Sequence, residues 1–209
     1  IINKIIVATT HKKDDDKVVE LAKLSSVSFF RGSENDVLDR FYQSVKQLKP
    51  DFIIRLTSDC PLIDAELIDK MILYMQNCNA DYISNTLKQE YPDGQDIEIF
   101  TFTVLESAWK NAKLKSDREH VTPYIIKNGT FSGGNLYKTK NYKSPKNYNQ
   151  VRMTVDEEAD YLTILEIVNT LGLNKSWLGY TNFVLDNPSI VQNHQIKRNE
   201  GYLKSLKNN

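Results

Sequence analysis

The chain has no excess charge of either sign: 27 Lys and Arg residues stand against 27 Asp and Glu residues. That balance argues against the electrostatic footprint of a nucleic-acid binder and the polybasic face of a membrane-surface protein. Long hydrophobic runs are missing too. No apolar stretch reaches the roughly 18 residues of a membrane span, and no signal peptide opens the chain, so no membrane is expected. Cysteine is scarce. Cys60 and Cys78 are the only two, one in a predicted loop and one late in a predicted helix, and they make neither a disulfide framework nor a zinc site. A reducing cytoplasm is the expected compartment. No Ser–His–Asp or Cys–His order stands out, so nothing in the sequence points to a covalent nucleophile.

What is present is alternation of strand and helix patterns. The 209 residues suit one sizeable α/β domain. Lys4 to Ala8, Val27 to Phe30, Phe52 to Leu56 and Asp81 to Ser84 read as strands. Asp16 to Leu24 and Val37 to Leu48 read as helices, and Asp64 caps a third that runs through about Cys78. Such alternation predicts a doubly wound, mainly parallel sheet with helices on both faces. Further along, Ile97 to Thr103 reads as a strand, followed by a helix to about Ala112. Ser116 to Glu119 fits a capping box that opens a helix to about Lys127. Phe131 to Tyr137 and Val151 to Val155 read as strands around a basic loop, Lys138 to Asn149. Asp156 is expected to cap a helix through Leu171, and Asn187-Pro188 to open a last one. The division this suggests is an α/β domain over residues 1–171 and a helical C-terminal extension over residues 172–209, packed on it.

In open parallel sheets ligands bind beyond the carboxyl ends of the strands, so the loops there are the first candidates. Asp59 lies in Thr57-Ser58-Asp59-Cys60-Pro61, directly after a strand. It fits Mg²⁺, which takes one or two carboxylates and substrate phosphates; a local turn role is the alternative. Asp156 also follows a strand and is equally suited to capping a helix. Two strand-end aspartates in one sheet can share a Mg²⁺ over a triphosphate. Gly32, Asp36 and Arg40 lie in Arg31 to Arg40, which enters a helix. This segment reads either as a nucleotide-facing loop or as a capped helix start with solvated charges. Asp93, Gly94, Asp96 and Glu98 cluster at a turn, and Arg118, Glu119 and His120 at a helix start. Acidic and amide groups suit sugar hydroxyls and Arg suits a carboxylate or phosphate; a surface turn and a capping box are the plainer readings. The apolar stretch Trp177 to Phe183 fits a homodimer interface or packing of the tail on the core equally well.

Taken together, IIVATT (Ile5 to Thr10), RGSENDVLDR (Arg31 to Arg40), RLTSDCPLID (Arg55 to Asp64), NADYISNT (Asn79 to Thr86), PDGQDIEIF (Pro92 to Phe100), REHVTPY (Arg118 to Tyr124) and RMTVDEEAD (Arg152 to Asp160) resemble the cytidylyltransferase family of spore-coat polysaccharide biosynthesis. That family is related to the CMP–sugar-acid synthetases (acylneuraminate and KDO cytidylyltransferases). The ending IKRNEGYLKSL (Ile196 to Leu206) looks like the tail of many such chains. The resemblance implies a Rossmann-like fold of the nucleotide-diphospho-sugar transferase type, with CTP and a sugar or sugar acid as substrates and Mg²⁺ as cofactor. It implies Asp59 and Asp156 as the Mg²⁺ ligands and Gly32, Asp36 and Arg40 near the nucleotide. Asp93, Gly94, Asp96, Glu98, Arg118, Glu119 and His120 would face the acceptor, and Arg152 could touch either. Family members begin with a strand and a Gly- and Arg-rich phosphate loop that is not found here. By resemblance the sequence starts at the next strand, so the first βα unit is expected to be missing and catalysis is doubtful if the protein starts at Ile1. The rival expectations are a nucleotide-sugar glycosyltransferase and a non-catalytic subunit.

Overall fold

The computed structural model describes residues 1–192, 196 and 198. In chain order its elements are β1 (Ile6–Thr10), α1 (Asp16–Leu24), β2 (Ser28–Gly32), α2 (Val37–Val45), β3 (Phe52–Arg55), α3 (Ala65–Asn77) and β4 (Tyr82–Ser84). Then follow β5 (Glu98–Thr101), α4 (Phe102–Asn111), α5 (Lys115–His120), α6 (Pro123–Lys127), β6 (Thr139–Asn141), α7 (Glu158–Leu171) and α8 (Trp177–Asp186). Among the described residues no helix is long and apolar enough to cross a membrane. The described residues fall into two compact units, one from Ile1–Ile53 and Phe100–Tyr137, the other from Ile54–Ile99 and Lys138–Arg198.

The first unit opens on a β1–α1–β2 crossover. β1 and β2 run parallel, Ile6 opposite Ser28 and Thr10 opposite Gly32, and α1 buries Val19 and Ala22. The carboxyl ends are tied by polar contacts. Arg31 Nε donates to the Thr10 carbonyl at 2.6 Å, and Asp15 accepts from the Thr10 amide and the Thr9 hydroxyl, each at 2.9 Å. α2 packs beside these strands, with Leu38 fully buried.

A second sheet has the strand order β3-β5-β4-β6. β4 and β6 are parallel, Tyr82 opposite Thr139. In the second unit Asp64 caps α3 as expected, its Oδ1 accepting from Glu66 N at 2.8 Å and Leu67 N at 3.2 Å. The helical spacing buries Leu67, Ile68, Met71, Ile72 and Met75, one continuous apolar face. Leu62, Val151, Met153, Ile164, Ile167, Tyr180 and Val184 form the core shared by α7 and α8.

Five local expectations need correction. Ser116 does not cap a helix: α5 begins after Leu114, and Ser116 is buried inside it. The helix stops at His120 because Val121 takes φ 72°, ψ −57° and Thr122 N bonds back to the His120 carbonyl at 2.8 Å. That is a strained three-residue turn, and Pro123 then starts α6. Phe131 to Tyr137 is not a strand. Local bonds from Thr130 N to Tyr137 O (2.9 Å) and Leu136 N to Asn128 O (3.0 Å) close it into a turn, and the strand forms in the supposed loop, at Thr139–Asn141. Val151 to Val155 contributes only an isolated parallel bridge, Arg152 to Asp93. Asp156 is not the cap of α7. Glu157 is, in a reciprocal capping box with Asp160. Finally, Asn187-Pro188 opens a 3-10 turn over Pro188–Ile190, and the tail beyond Gln192 lies outside the described residues except for Ile196 and Arg198.

Candidate active site

In the second unit the loop after β3 carries Asp59, and Thr154-Val155-Asp156 runs beside it. Val155 N and Thr154 Oγ1 both donate to the Asp59 carbonyl, at 2.8 and 3.0 Å. The two aspartates therefore sit on neighbouring segments. Among the described residues the Asp59 side chain has one weak polar contact, a long approach of 3.6 Å from Cys60 Sγ. Burial pushes the Cys60 thiol up to about 12, which keeps it protonated and inert. Because Glu157 does the capping, Asp156 is not spent on the helix terminus. Its carboxylate is half exposed and accepts from Arg152 Nη2 at 2.7 Å.

Arg152 gathers three aspartates. Nη1 donates to Asp93 Oδ2 at 2.7 Å, while Nε and Nη2 grip Asp160 with both bonds at 2.8 Å. Asp160 has no exposed surface and also accepts from the Asp156 and Glu157 amides. Burial opposes the Arg152 charge; Asp160, Asp156 and Asp93 outweigh it and raise its pKa. Asp93 is itself raised by burial, against the pull of Arg198 and Arg152. Asp96 is pushed up to about 6 by desolvation, again opposed by Arg198. Glu98 is held inside: Arg55 Nη1 pairs with Oε2, and the buried Tyr82 hydroxyl donates to Oε1 at 2.6 Å.

Gly94 explains how Asp93 approaches Arg152. Its φ is 103°, and a Cβ there would lie 2.5 Å from the Met153 carbonyl carbon and oxygen. Gly94→Ala is expected to cost about 2–3 kcal/mol, because both backbone strain and a backbone clash must be relieved. Urea unfolding checks this; an unchanged midpoint would refute the close approach.

The remaining candidates lie in the first unit. Gly32 ends β2, where a Cβ would meet Arg40 Cγ at 2.9 Å. Arg40 Nη1 donates to the Ser33 carbonyl at 2.7 Å, while its buried Nε has no hydrogen-bond partner among the described residues. Burial lowers the Arg40 pKa, and Asp15 and Glu34 partly offset that. Asp36 caps α2 through the Asp39 amide (2.9 Å) and pairs with Arg118 Nε (2.7 Å). Arg118 also donates to the Trp109 and Ala112 carbonyls. Glu119 is exposed and His120 half-buried beside the strained Val121 turn. Asp36→Ala should cost about 1–2 kcal/mol through lost cap and ion pair, lowering the melting point by a few degrees. A double-mutant cycle with Arg118→Ala reads the pair separately.

Sequence reasoning missed Asp160 and Arg198. Asp160 could have been found three residues after Glu157, the spacing of a capping box. Arg198 lies in the quoted tail motif but had no local pattern to mark it. It donates through Nη2 to Asp96 and through Nη1 to the Tyr91 carbonyl at 3.1 Å.

Among the described residues no three His, Cys, Asp or Glu side chains converge as a metal-binding group. The chemistry of the donors nevertheless fits a hard divalent cation, for which two carboxylates plus substrate phosphates suffice.

Parallel strands joined by helical crossovers, with acidic groups just past their carboxyl ends, are a setting in which open α/β sheets handle nucleotides, and this protein is a nucleotidyltransferase. A family model described as cytidylyltransferase matches residues 1–180, and the chain belongs to that family. It is 42% identical over 205 residues to an uncharacterized protein of Methanocaldococcus jannaschii, covering 96% of this chain and 81% of that protein. It is 32% identical over 175 residues to the spore coat polysaccharide biosynthesis protein SpsF of Bacillus subtilis, covering 81% of this chain and 69% of SpsF. The solved structure of a cytidylyltransferase from Leptospira borgpetersenii superposes with a TM-score of 0.84 at 35% identity, covering 92% of this chain and 80% of that one. The expected Rossmann-like α/β fold and family are thus both found.

Proposed function

We propose that the protein is a Mg²⁺-dependent cytidylyltransferase that activates a sugar or sugar acid from CTP, with release of pyrophosphate, for surface polysaccharide biosynthesis in the cytoplasm. The observation that carries this reading is the pair of hydrogen bonds that the Asp59 carbonyl accepts from Val155 N and from the Thr154 hydroxyl, which holds the segments bearing Asp59 and Asp156 together. The SpsF relative supports the polysaccharide context.

An acceptor oxygen attacks the α-phosphorus of CTP. A P–O bond forms as the bond to the bridging oxygen breaks, pyrophosphate leaves with that electron pair, and the acceptor proton passes to solvent. No covalent enzyme intermediate is required. Asp59 and Asp156 hold the cation, which when bound offsets phosphate charge. Arg152 fixes the orientation of Asp156. Gly32, Asp36 and Arg40 face the nucleotide. Asp93, Gly94, Asp96, Glu98, Arg118, Glu119 and His120 face the acceptor or brace groups that do. Positioning and electrostatics account for most of the rate. A homodimer through the Trp177 to Phe183 stretch of α8, where Leu178 is exposed, belongs to the same reading; light scattering tests it.

The functional test supplies each of the four nucleoside triphosphates with a pool of sugars, sugar phosphates and sugar acids. Pyrophosphate should appear only with CTP and Mg²⁺, should stop on adding EDTA, and should accompany a CMP-linked or CDP-linked sugar. Release of a nucleoside diphosphate would instead mark glycosyl transfer.

A further inference from the structure

α2 begins where the nucleotide-facing segment ends, and its first turns are fastened sideways to α4 and α5 within the same unit. Arg118 Nε donates to Asp36 Oδ2 at 2.7 Å. One turn further, Trp109 Nε1 donates to Asp39 Oδ1 at 2.8 Å. A turn beyond that, the Tyr42 ring stacks on Trp109, with centroids 4.1 Å apart and planes 14° from parallel, and the Tyr42 hydroxyl donates to Glu106 Oε1 at 3.2 Å. We propose that Arg118 is a positioning residue for the nucleotide: through Asp36 it fixes the segment from Gly32 to Asp36, with Trp109 as the second point of the brace. Among the residues grouped with the acceptor, Arg118 is a brace, and what it braces is the nucleotide side. The inference rests on the reading that this segment faces CTP.

The donors of Arg118 are largely spent. A guanidinium has five N–H groups. Nε holds Asp36, and Nη1 donates to the Trp109 and Ala112 carbonyls at 3.1 and 3.2 Å. Those carbonyls belong to the carboxyl end of α4 and its cap, where helix C=O groups lack intrahelical partners and a cation is favourable. The end of α4 therefore anchors the guanidinium and leaves Nε aimed at Asp36. A carboxylate is gripped bidentately along the Nε–Nη2 edge or the Nη1–Nη2 edge, and each edge contains a nitrogen already engaged. A direct clamp on an acceptor carboxylate would dismantle the brace.

Asp36 passes the restraint on. Its Oδ1 accepts from Asp39 N at 2.9 Å and so caps α2, its amide donates to Ser33 Oγ at 3.0 Å, and the Ser33 carbonyl accepts from Arg40 Nη1 at 2.7 Å. These three bonds tie the segment to itself and to α2. The Arg118 bond ties it to a different element. The pair is partly buried, at 24% and 32% exposure, so salt screens it less than a surface pair. Arg118 also offsets the Asp36 charge, which would otherwise repel the triphosphate. Without Arg118, Asp36 keeps its cap but loses its fixed direction and its counter-charge, so CTP should bind more weakly.

The experiment is calorimetric titration of the full chain with CTP and Mg²⁺ and no acceptor, at a temperature where urea unfolding shows the variants folded. Arg118→Gln should weaken CTP binding about tenfold, and Arg118→Lys, which keeps the charge but not the planar fork, should recover part of that. Trp109→Phe, which keeps the ring stack and loses the bond to Asp39, should weaken CTP binding about threefold. A residue that serves only the acceptor, or only the stability of the fold, leaves CTP affinity unchanged in a folded variant. Unchanged affinity in Arg118→Gln therefore overturns the proposal. If Arg118→Gln does not fold, Arg118→Lys and Trp109→Phe carry the test, and unchanged affinity in both overturns it. An unaltered protein that binds no CTP brings down the nucleotide reading and the proposal with it, a result distinct from equal binding by the parent and its variants.

Discussion

Asp59→Ala is expected to lower CTP-dependent pyrophosphate release by about 10³-fold or more while the protein stays folded. The two halves of this expectation come from different atoms of one residue. The structural role of Asp59 runs through its backbone carbonyl, which accepts from Val155 N and Thr154 Oγ1 and is kept by alanine. Among the described residues its carboxylate has only the long contact from Cys60, so truncation should change stability by no more than about 0.5 kcal/mol. What alanine removes is a hard oxygen donor. A 10³-fold loss corresponds to about 4 kcal/mol of transition-state stabilisation, a normal scale for removing a charge-stabilising element. Steady-state turnover and thermal unfolding are measured on the same preparation. Near-normal turnover would sink the assignment of Asp59; unfolding would show that the side chain has a structural role not visible in its contacts.

Arg152→Leu should have the largest effect on stability, about 3–5 kcal/mol, or a fall in melting point on the order of 10 °C. The loss is not simply that of three ion pairs. Leucine fills part of the space but takes the guanidinium away from Asp160, which has no exposed surface, and leaves Asp93, 8% exposed, with the longer Arg198 ion pair. The pH dependence of the deficit distinguishes this from a packing defect. Removing the guanidinium raises the folded-state pKa of both carboxylates, and Asp93 is already raised by burial. A carboxyl group with a raised folded pKa binds more protons folded than unfolded, so its contribution becomes less favourable as pH rises through that window. The variant should therefore be closer to the parent near pH 5 than at pH 8. Urea unfolding at the two values reads it, and an equal deficit at both would point to lost packing instead.

The parts of the fold legible in the sequence are those governed by local periodicity. α3 shows why: its apolar positions repeat at helical spacing and Asp64 marks its start, so neither needs a distant contact to be inferred. β1, β2 and β3 are similarly apolar and bounded by polar turns. The errors cluster where a local motif competes with tertiary contacts. Ser116 and Glu119 have the capping-box spacing, yet burial of Ser116 and the reversal at Val121 decide the helix. Phe131 to Tyr137 reads as a strand, but a Cβ at Gly134 would lie 2.4 Å from the Asn128 carbonyl, so the chain folds back there.

The candidate site was legible in the same way and to the same depth. Asp59 and Asp156 could be picked because each follows an expected strand. Their roles could not be separated from capping by sequence alone. The structure supplies the difference at Asp156, where Glu157 and Asp160 take over the cap. Asp93, Asp96 and Glu98 were legible as an acidic turn, but not their partners: Arg152, Arg198, Arg55 and Tyr82 come from 16 to 105 residues away. Ion pairing across such separations leaves no pattern in a single sequence.

The most direct test of the central claim is a crystal structure with CTP and Mn²⁺ replacing Mg²⁺, read by anomalous scattering. One metal peak is expected at about 2.1–2.2 Å from a carboxylate oxygen of both Asp59 and Asp156, with the remaining ligands from phosphate and water. A metal bound elsewhere, or the two carboxylates turned apart with CTP in place, would contradict the cytidylyltransferase site described here.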